Sequence, residues 1–96
     1  MLQANVTFRH MEASDALKDY VNDKIGRVEK LLHPPVDAHV VLSVEKFIHH
    51  AEISVTAGGV QIHGAEKSED MYSSIDLAMD KIERQAKKHK EKVSHP

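Results

Sequence analysis

The side chains best suited to chemistry in this sequence are cations. Lys81, Arg84, Lys88 and Lys92 recur through the run DKIERQAKKHKEK near the carboxyl end. On a helical wheel with Ala78 at zero, Arg84, Lys88, Lys81 and Lys92 fall at roughly 240°, 280°, 300° and 320°. Positive charges on one such stripe, over about three turns, can follow a phosphate backbone and release its counterions. The apolar residues occupy roughly 0–100°, and Asp76, Asp80, Glu83 and Glu91 take the remaining arc. Solubility alone does not demand that sorting, because mixed signs solubilise a helix equally well. An earlier helix repeats it in miniature. Lys24 borders its apolar arc, Arg27 lies further round and Lys30 beyond, while Asp15, Asp19 and Asp23 cluster elsewhere. With the helices side by side, the two basic edges are expected to face each other across a groove. Lys87 and Lys90 lie off the stripe, where solubility and the helix dipole account for them.

Other chemistries find little support. Eight histidines are present, but His49-His50 fall where a hairpin turn is expected, and His39 and His63 on the polar side of strands. No HExxH or compact His/Asp cluster suits a catalytic metal. No Ser-His-Asp arrangement or phosphate-cradling glycine loop is visible either, so neither an enzyme nor a cofactor is expected. Cysteine is absent, which removes disulfides, Cys-ligated zinc, Fe–S clusters and thiol nucleophiles together. With no tryptophan, two Phe and two Tyr, an aromatic platform for stacking bases is not expected. No apolar run nears the ~18 residues of a membrane span, and the amino end lacks a signal peptide's layout. A soluble, cytoplasmic protein without a membrane partner follows. The formal charge of −2 hides an asymmetry: residues 1–80 hold seven Lys/Arg against thirteen Asp/Glu, and residues 81–96 six against two. Such a chain can repel polyanions generally and still grip one along an edge.

The scaffold for these cations reads as a single domain over the 96 residues. Residues 2–8 alternate Leu2, Ala4, Val6 and Phe8 against Gln3, Asn5 and Thr7, a half-buried strand. Ser14-Asp15 starts a helix with a capping hydroxyl and a first-turn acid. Leu17, Val21, Ile25, Val28 and Leu32 form its apolar stripe, and Pro34-Pro35 end it. Two further strands carry Ala38, Val40, Leu42 and Val44, then Ala51, Ile53 and Val55. Gly58-Gly59 makes a tight turn into a fourth, with Val60 and Ile62. Ser68-Glu69-Asp70 supplies a cap and first-turn acids for the last helix, whose stripe is Met71, Ile75, Ala78, Ile82 and Ala86. The order β-α-β-β-β-α predicts an α/β two-layer sandwich: a four-stranded mixed sheet with both helices packed on one face.

The run from Asp70, DMYSSIDLAMDKIERQAKKHKEK, resembles the closing helix of the ribosome hibernation promoting factor family. That family is also called ribosome-associated inhibitor A or sigma-54 modulation protein. SDALKDYVNDKIGRVEKL, HVVLSVEK and GGVQIHGAE match as well, so the resemblance covers nearly the whole chain. It implies the same β-α-β-β-β-α fold and a protein that binds the small ribosomal subunit where mRNA and the A- and P-site tRNAs would lie. Translation would be silenced in stationary phase or stress. The rRNA contacts it implies are Lys24, Arg27, Lys81, Arg84, Lys88 and Lys92, with Tyr72 of the DMY motif packing at the helix start. The chain ends without the acidic tail or dimerising domain of longer relatives. It therefore reads either as a short form, which needs a second factor to pair ribosomes, or as the amino-terminal domain of a long form. Two other functions stay open: a module that modulates a transcription factor, and a general double-stranded-RNA-binding domain.

Overall fold

The computed structural model describes residues 4–94, with side chains as far as His89. Six elements follow in the expected order: β1 (Asn5–Arg9), α1 (Asp15–Glu29), β2 (Val36–Glu45), β3 (Ile48–Ala57), β4 (Val60–Ser68) and α2 (Met71–Ser94). The strands form one sheet in the order β1-β2-β3-β4. β1 and β2 run parallel, which the helical crossover between them allows. The other two pairs are antiparallel hairpins. Pairing in β1 begins at Asn5 and reaches Arg9, slightly later than the alternation predicts; Leu2 lies outside the described residues.

Local chemistry explains most boundaries. Ser14 caps α1, its Oγ accepting the Leu17 amide at 3.2 Å, and Asp15 sits in the first turn where the helix dipole favours an acid. Gly58 and Gly59 both take positive φ, 54° and 79°. A two-residue hairpin turn of that kind asks for this at both positions, and glycine supplies it without a Cβ clash. The other hairpin departs from expectation. Glu45 pairs with Ile48, so the turn is Lys46-Phe47, and His49 and His50 lie inside β3 on opposite faces.

The helix stripes and the inward sheet residues make one core, in which Val21, Val40, Leu42, Ile53, Ile75 and Ile82 are fully buried. The other sheet face is wet, with His39, Ser54 and His63 in one cross-strand row. Both helices therefore lie on one side, as the patterning requires. Close seating of α2 depends on one residue. A Cβ on Gly64 of β4 would stand 2.9 Å from the Ala78 carbonyl oxygen and 3.3 Å from Lys81 Cβ. Only glycine lets strand and helix approach this closely without displacement.

Candidate nucleic-acid interface

A cap starts α2, and two hydrogen bonds to the sheet, with the close contact at Gly64, fix its rotation about its own axis. Asp70 caps the helix, its Oδ2 accepting from the Ser73 amide and hydroxyl, both at 3.0 Å. The helix begins at Met71, so Glu69 and Asp70 precede it instead of forming its acidic first turn. Buried Ser74 donates its hydroxyl to the His49 carbonyl at 2.7 Å. Two turns beyond the Gly64 contact, Gln85 Nε2 donates to the His63 carbonyl at 2.9 Å. This rotation decides where every charge on the helix points.

On the flank over β4, Lys81 Nζ meets Glu66 Oε2 at 2.6 Å. Arg84 Nη2 meets Asp80 Oδ2 at 2.6 Å, one turn back along the helix. Lys81, Arg84 and Lys88 are all exposed and share the arc from roughly 240° to 300°. The side chain of Lys92 lies outside the described residues. Lys87, expected to serve solubility, pairs with Glu83 at 3.1 Å.

The other flank overturns the expectation of two facing basic edges. α1 does bring Lys24, Arg27 and Val28 to a groove of about 330 Å³. From α2, however, that groove takes Asp76, Leu77, Met79, Asp80 and Glu83. Once the apolar arc sits on the sheet, residues between roughly 100° and 260° line the groove with α1, and Lys81 near 300° turns toward β4. The α2 cations and the α1 cations are separated by an acidic wall.

That wall is engaged. Asp76 Oδ1 accepts the Tyr20 hydroxyl at 2.5 Å and lies 3.7 Å from Lys24 Nζ. Lys24 Nζ also stands 5.2 Å from the centre of the Tyr20 ring, within cation–π reach. Tyr20 in turn meets Tyr72 edge-on, with centroids 4.9 Å apart and planes at 83°. The hydrogen bond to Asp76, with desolvation and the carboxylate's charge adding to it, pushes the Tyr20 phenol up to about 12. Arg27 Nη2 pairs with Asp23 at 3.4 Å. Thus Lys24, Arg27, Lys81 and Arg84 each already face a carboxylate. The pairs Asp23–Arg27, Asp80–Arg84 and Glu83–Lys87 have a readable i,i+4 spacing. Asp76 and Glu66, the partners from other elements, and Tyr20 carry no such local signal.

Residues 4–94 match the family described as Sigma 54 modulation protein / S30EA ribosomal protein. The chain belongs to this family. The match takes in both helices and every candidate cation from Lys24 to Lys92. Among its relatives in the sigma-54 modulation/S30EA family, the protein named ribosome hibernation promoting factor in Azotobacter vinelandii is 37% identical over 91 residues, covering 95% of this chain and 85% of the relative. The protein of the same name from Escherichia coli K12 is 35% identical over 92 residues, covering 96% and 97%. The fold also resembles two solved structures. The Thermus thermophilus Protein Y N-terminal domain aligns with a TM-score of 0.86 at 34% identity, covering 93% of this chain and 99% of that one. A ribosomal subunit interface protein from Coxiella burnetii aligns with a TM-score of 0.79 at 26% identity, covering 94% and 99%.

Proposed function

We propose that this protein is a cytoplasmic ribosome hibernation factor that acts without covalent chemistry. It seats on the small ribosomal subunit in the channel used by mRNA and by the A- and P-site tRNAs, and blocks translation in stationary phase or stress by occupying that space. The observation that carries the reading is the exposed strip of Lys81, Arg84 and Lys88 on one rigid helix, in a chain whose relatives are named ribosome hibernation promoting factor. Lys24, Arg27 and Lys92 complete the proposed rRNA contacts. Phosphates at these cations supply affinity, and the shape of folded rRNA supplies specificity. Binding at Arg84 and Lys81 is an exchange, in which a phosphate replaces Asp80 or Glu66 as the partner. Ribosome pairing would fall to a second factor or to a further C-terminal domain.

The test is whether purified protein travels with small subunits in a gradient and leaves them as salt rises. Six phosphate contacts give a slope of log affinity against log salt on the order of −4 to −5. Binding no better than background, with capture of a transcription factor instead, would overturn the reading. Equally tight binding to a free RNA duplex would favour a general double-stranded-RNA module.

A further inference from the structure

We infer that Asp76, Asp80 and Glu83, the α2 wall of the inter-helix groove, determine specificity by rejecting flexible single-stranded RNA. The inference rests on the ribosomal reading above and deepens it. The hazard being countered lies in the sequence: residues 81–96 carry six Lys/Arg against two Glu. Phosphate attraction is independent of sequence, so a bare cationic helix would collect any RNA.

The groove is where a flexible strand would reach both helices at once. To reach Lys24, whose side chain is 26% exposed, it must enter a cleft whose opposite side is Asp76, Asp80 and Glu83. Asp76 is held there. The Tyr20 hydroxyl bonds it at 2.5 Å, and Tyr20 is itself braced edge-on by Tyr72. A phosphate approaching Lys24 therefore meets a carboxylate 3.7 Å from the ammonium, one that has a second partner and gains nothing by swinging away. Like charges brought together disfavour an interface and suppress wrong partners. Asp80 and Glu83 add the same opposition while holding Arg84 at 2.6 Å and Lys87 at 3.1 Å.

A loose strand must also lose conformational freedom to follow the groove, so small repulsions decide its fate. Folded RNA differs. Its phosphates are already fixed in space, and it can engage Lys81 and Lys88, neither of which lines the acidic cleft, without threading it. The wall thus weakens one class of ligand more than the other, which is how a repulsive element creates specificity.

The test compares two triple variants with the same change in net charge. One is Asp76→Asn, Asp80→Asn, Glu83→Gln; the other is Asp37→Asn, Glu45→Gln, Glu52→Gln, on the open sheet face. Affinities are measured for fluorescent poly(U) and for purified small subunits. The groove variant is expected to bind poly(U) about ten-fold tighter than the sheet-face control, from two- to three-fold per exposed charge, with a smaller gain for small subunits. Equal gains in the two triples, or none in either, would overturn the filter. Asp76→Asn, which leaves an amide oxygen for Tyr20, measured against Glu52→Gln alone repeats the comparison with Arg84 and Lys87 still held by Asp80 and Glu83, and must show the same order. Wild-type protein that ignores small subunits would defeat the ribosomal reading, while the poly(U) comparison would still decide the groove.

Discussion

The two flanks of α2 share one helix and carry opposite chemistry. On one side it presents Lys81 over β4, with Arg84 and Lys88 exposed nearby on the helix. Toward α1 it presents Asp76, Asp80 and Glu83, set against Lys24 and Arg27 in a groove. The difference teaches that charge sorting around a helix is only half of an electrostatic argument. The other half is which neighbour each sector meets, and that is decided by the core. Because Ile75, Ala78, Ile82 and Ala86 must face the sheet, the acidic sector has nowhere to go but toward α1. Lys24 is consequently paired across the groove with Asp76, Arg27, Lys81 and Arg84 are paired by other carboxylates, and Lys88 stands exposed.

Charge reversal on each side is the most forceful way to break this contrast. Arg84→Glu with Lys88→Glu is expected to weaken small-subunit binding on the order of 100-fold, since two phosphate contacts become repulsions. Lys24→Glu with Arg27→Glu should cost about ten-fold, because Lys24 is held in the groove between Asp76 and the Tyr20 ring whereas Lys88 is exposed. Cosedimentation titrations at one salt concentration decide it. Equal losses would mean that the groove opens on binding and its cations count fully.

The next effect concerns the seating that keeps the flanks apart. Gly64→Ala places a Cβ 2.9 Å from the Ala78 carbonyl, so strand and helix must separate. Overpacking of this kind costs about 1–3 kcal/mol, and each kcal/mol lowers the melting temperature of a domain this size by about 4–8 °C. An unchanged unfolding midpoint would show that the approach of α2 to β4 is set elsewhere.

Gly64 also marks the boundary of what sequence reading reaches. The six elements, their order and both helix stripes are legible, because burial imposes a period near 3.6 in helices and 2 in strands. The glycine pair before β4 is legible for steric reasons, but α1 ends at Glu29, ahead of Pro34-Pro35, so Leu32 joins the core from beyond the helix. Neither the pairing of Lys81 with Glu66 nor that of Lys24 with Asp76 is, since each joins elements whose relative placement needs the finished sheet order. The turn at Lys46-Phe47 was hidden similarly. Lys46 takes a φ of 58° without a glycine to announce it, and His49-His50 look equally suited to a loop. The expectation of facing basic edges fails at this step: a wheel assigns sectors, and tertiary packing assigns their neighbours.

A smaller effect probes how firmly the acidic flank is held. Asp76→Asn removes the charge that favours the neutral Tyr20 phenol. The phenolate absorbance midpoint should fall from about 12 toward the ordinary 10. The sign is definite. Folding raises the proton affinity of Tyr20, so its contribution to stability is complete below pH 10 and fades as pH climbs from 10 toward 12. In the variant that alkaline loss should shrink. A midpoint that stays near 12 would assign the shift to desolvation and leave Asp76 free to move.

The smallest effect tests whether the far side of α1 belongs to the interface at all. Gly26 is two residues past Lys24, which at about 100° per residue turns it away from the groove. An added Cβ there meets nothing within 4 Å, and its helical backbone suits alanine. Gly26→Ala should therefore stabilise the protein by about 0.5–1 kcal/mol, chiefly by reducing the freedom of the unfolded chain. Small-subunit binding should not change. A stabilised variant that binds less well would place rRNA against the back of α1, and the contrast between the flanks of α2 would then describe only part of the contact surface.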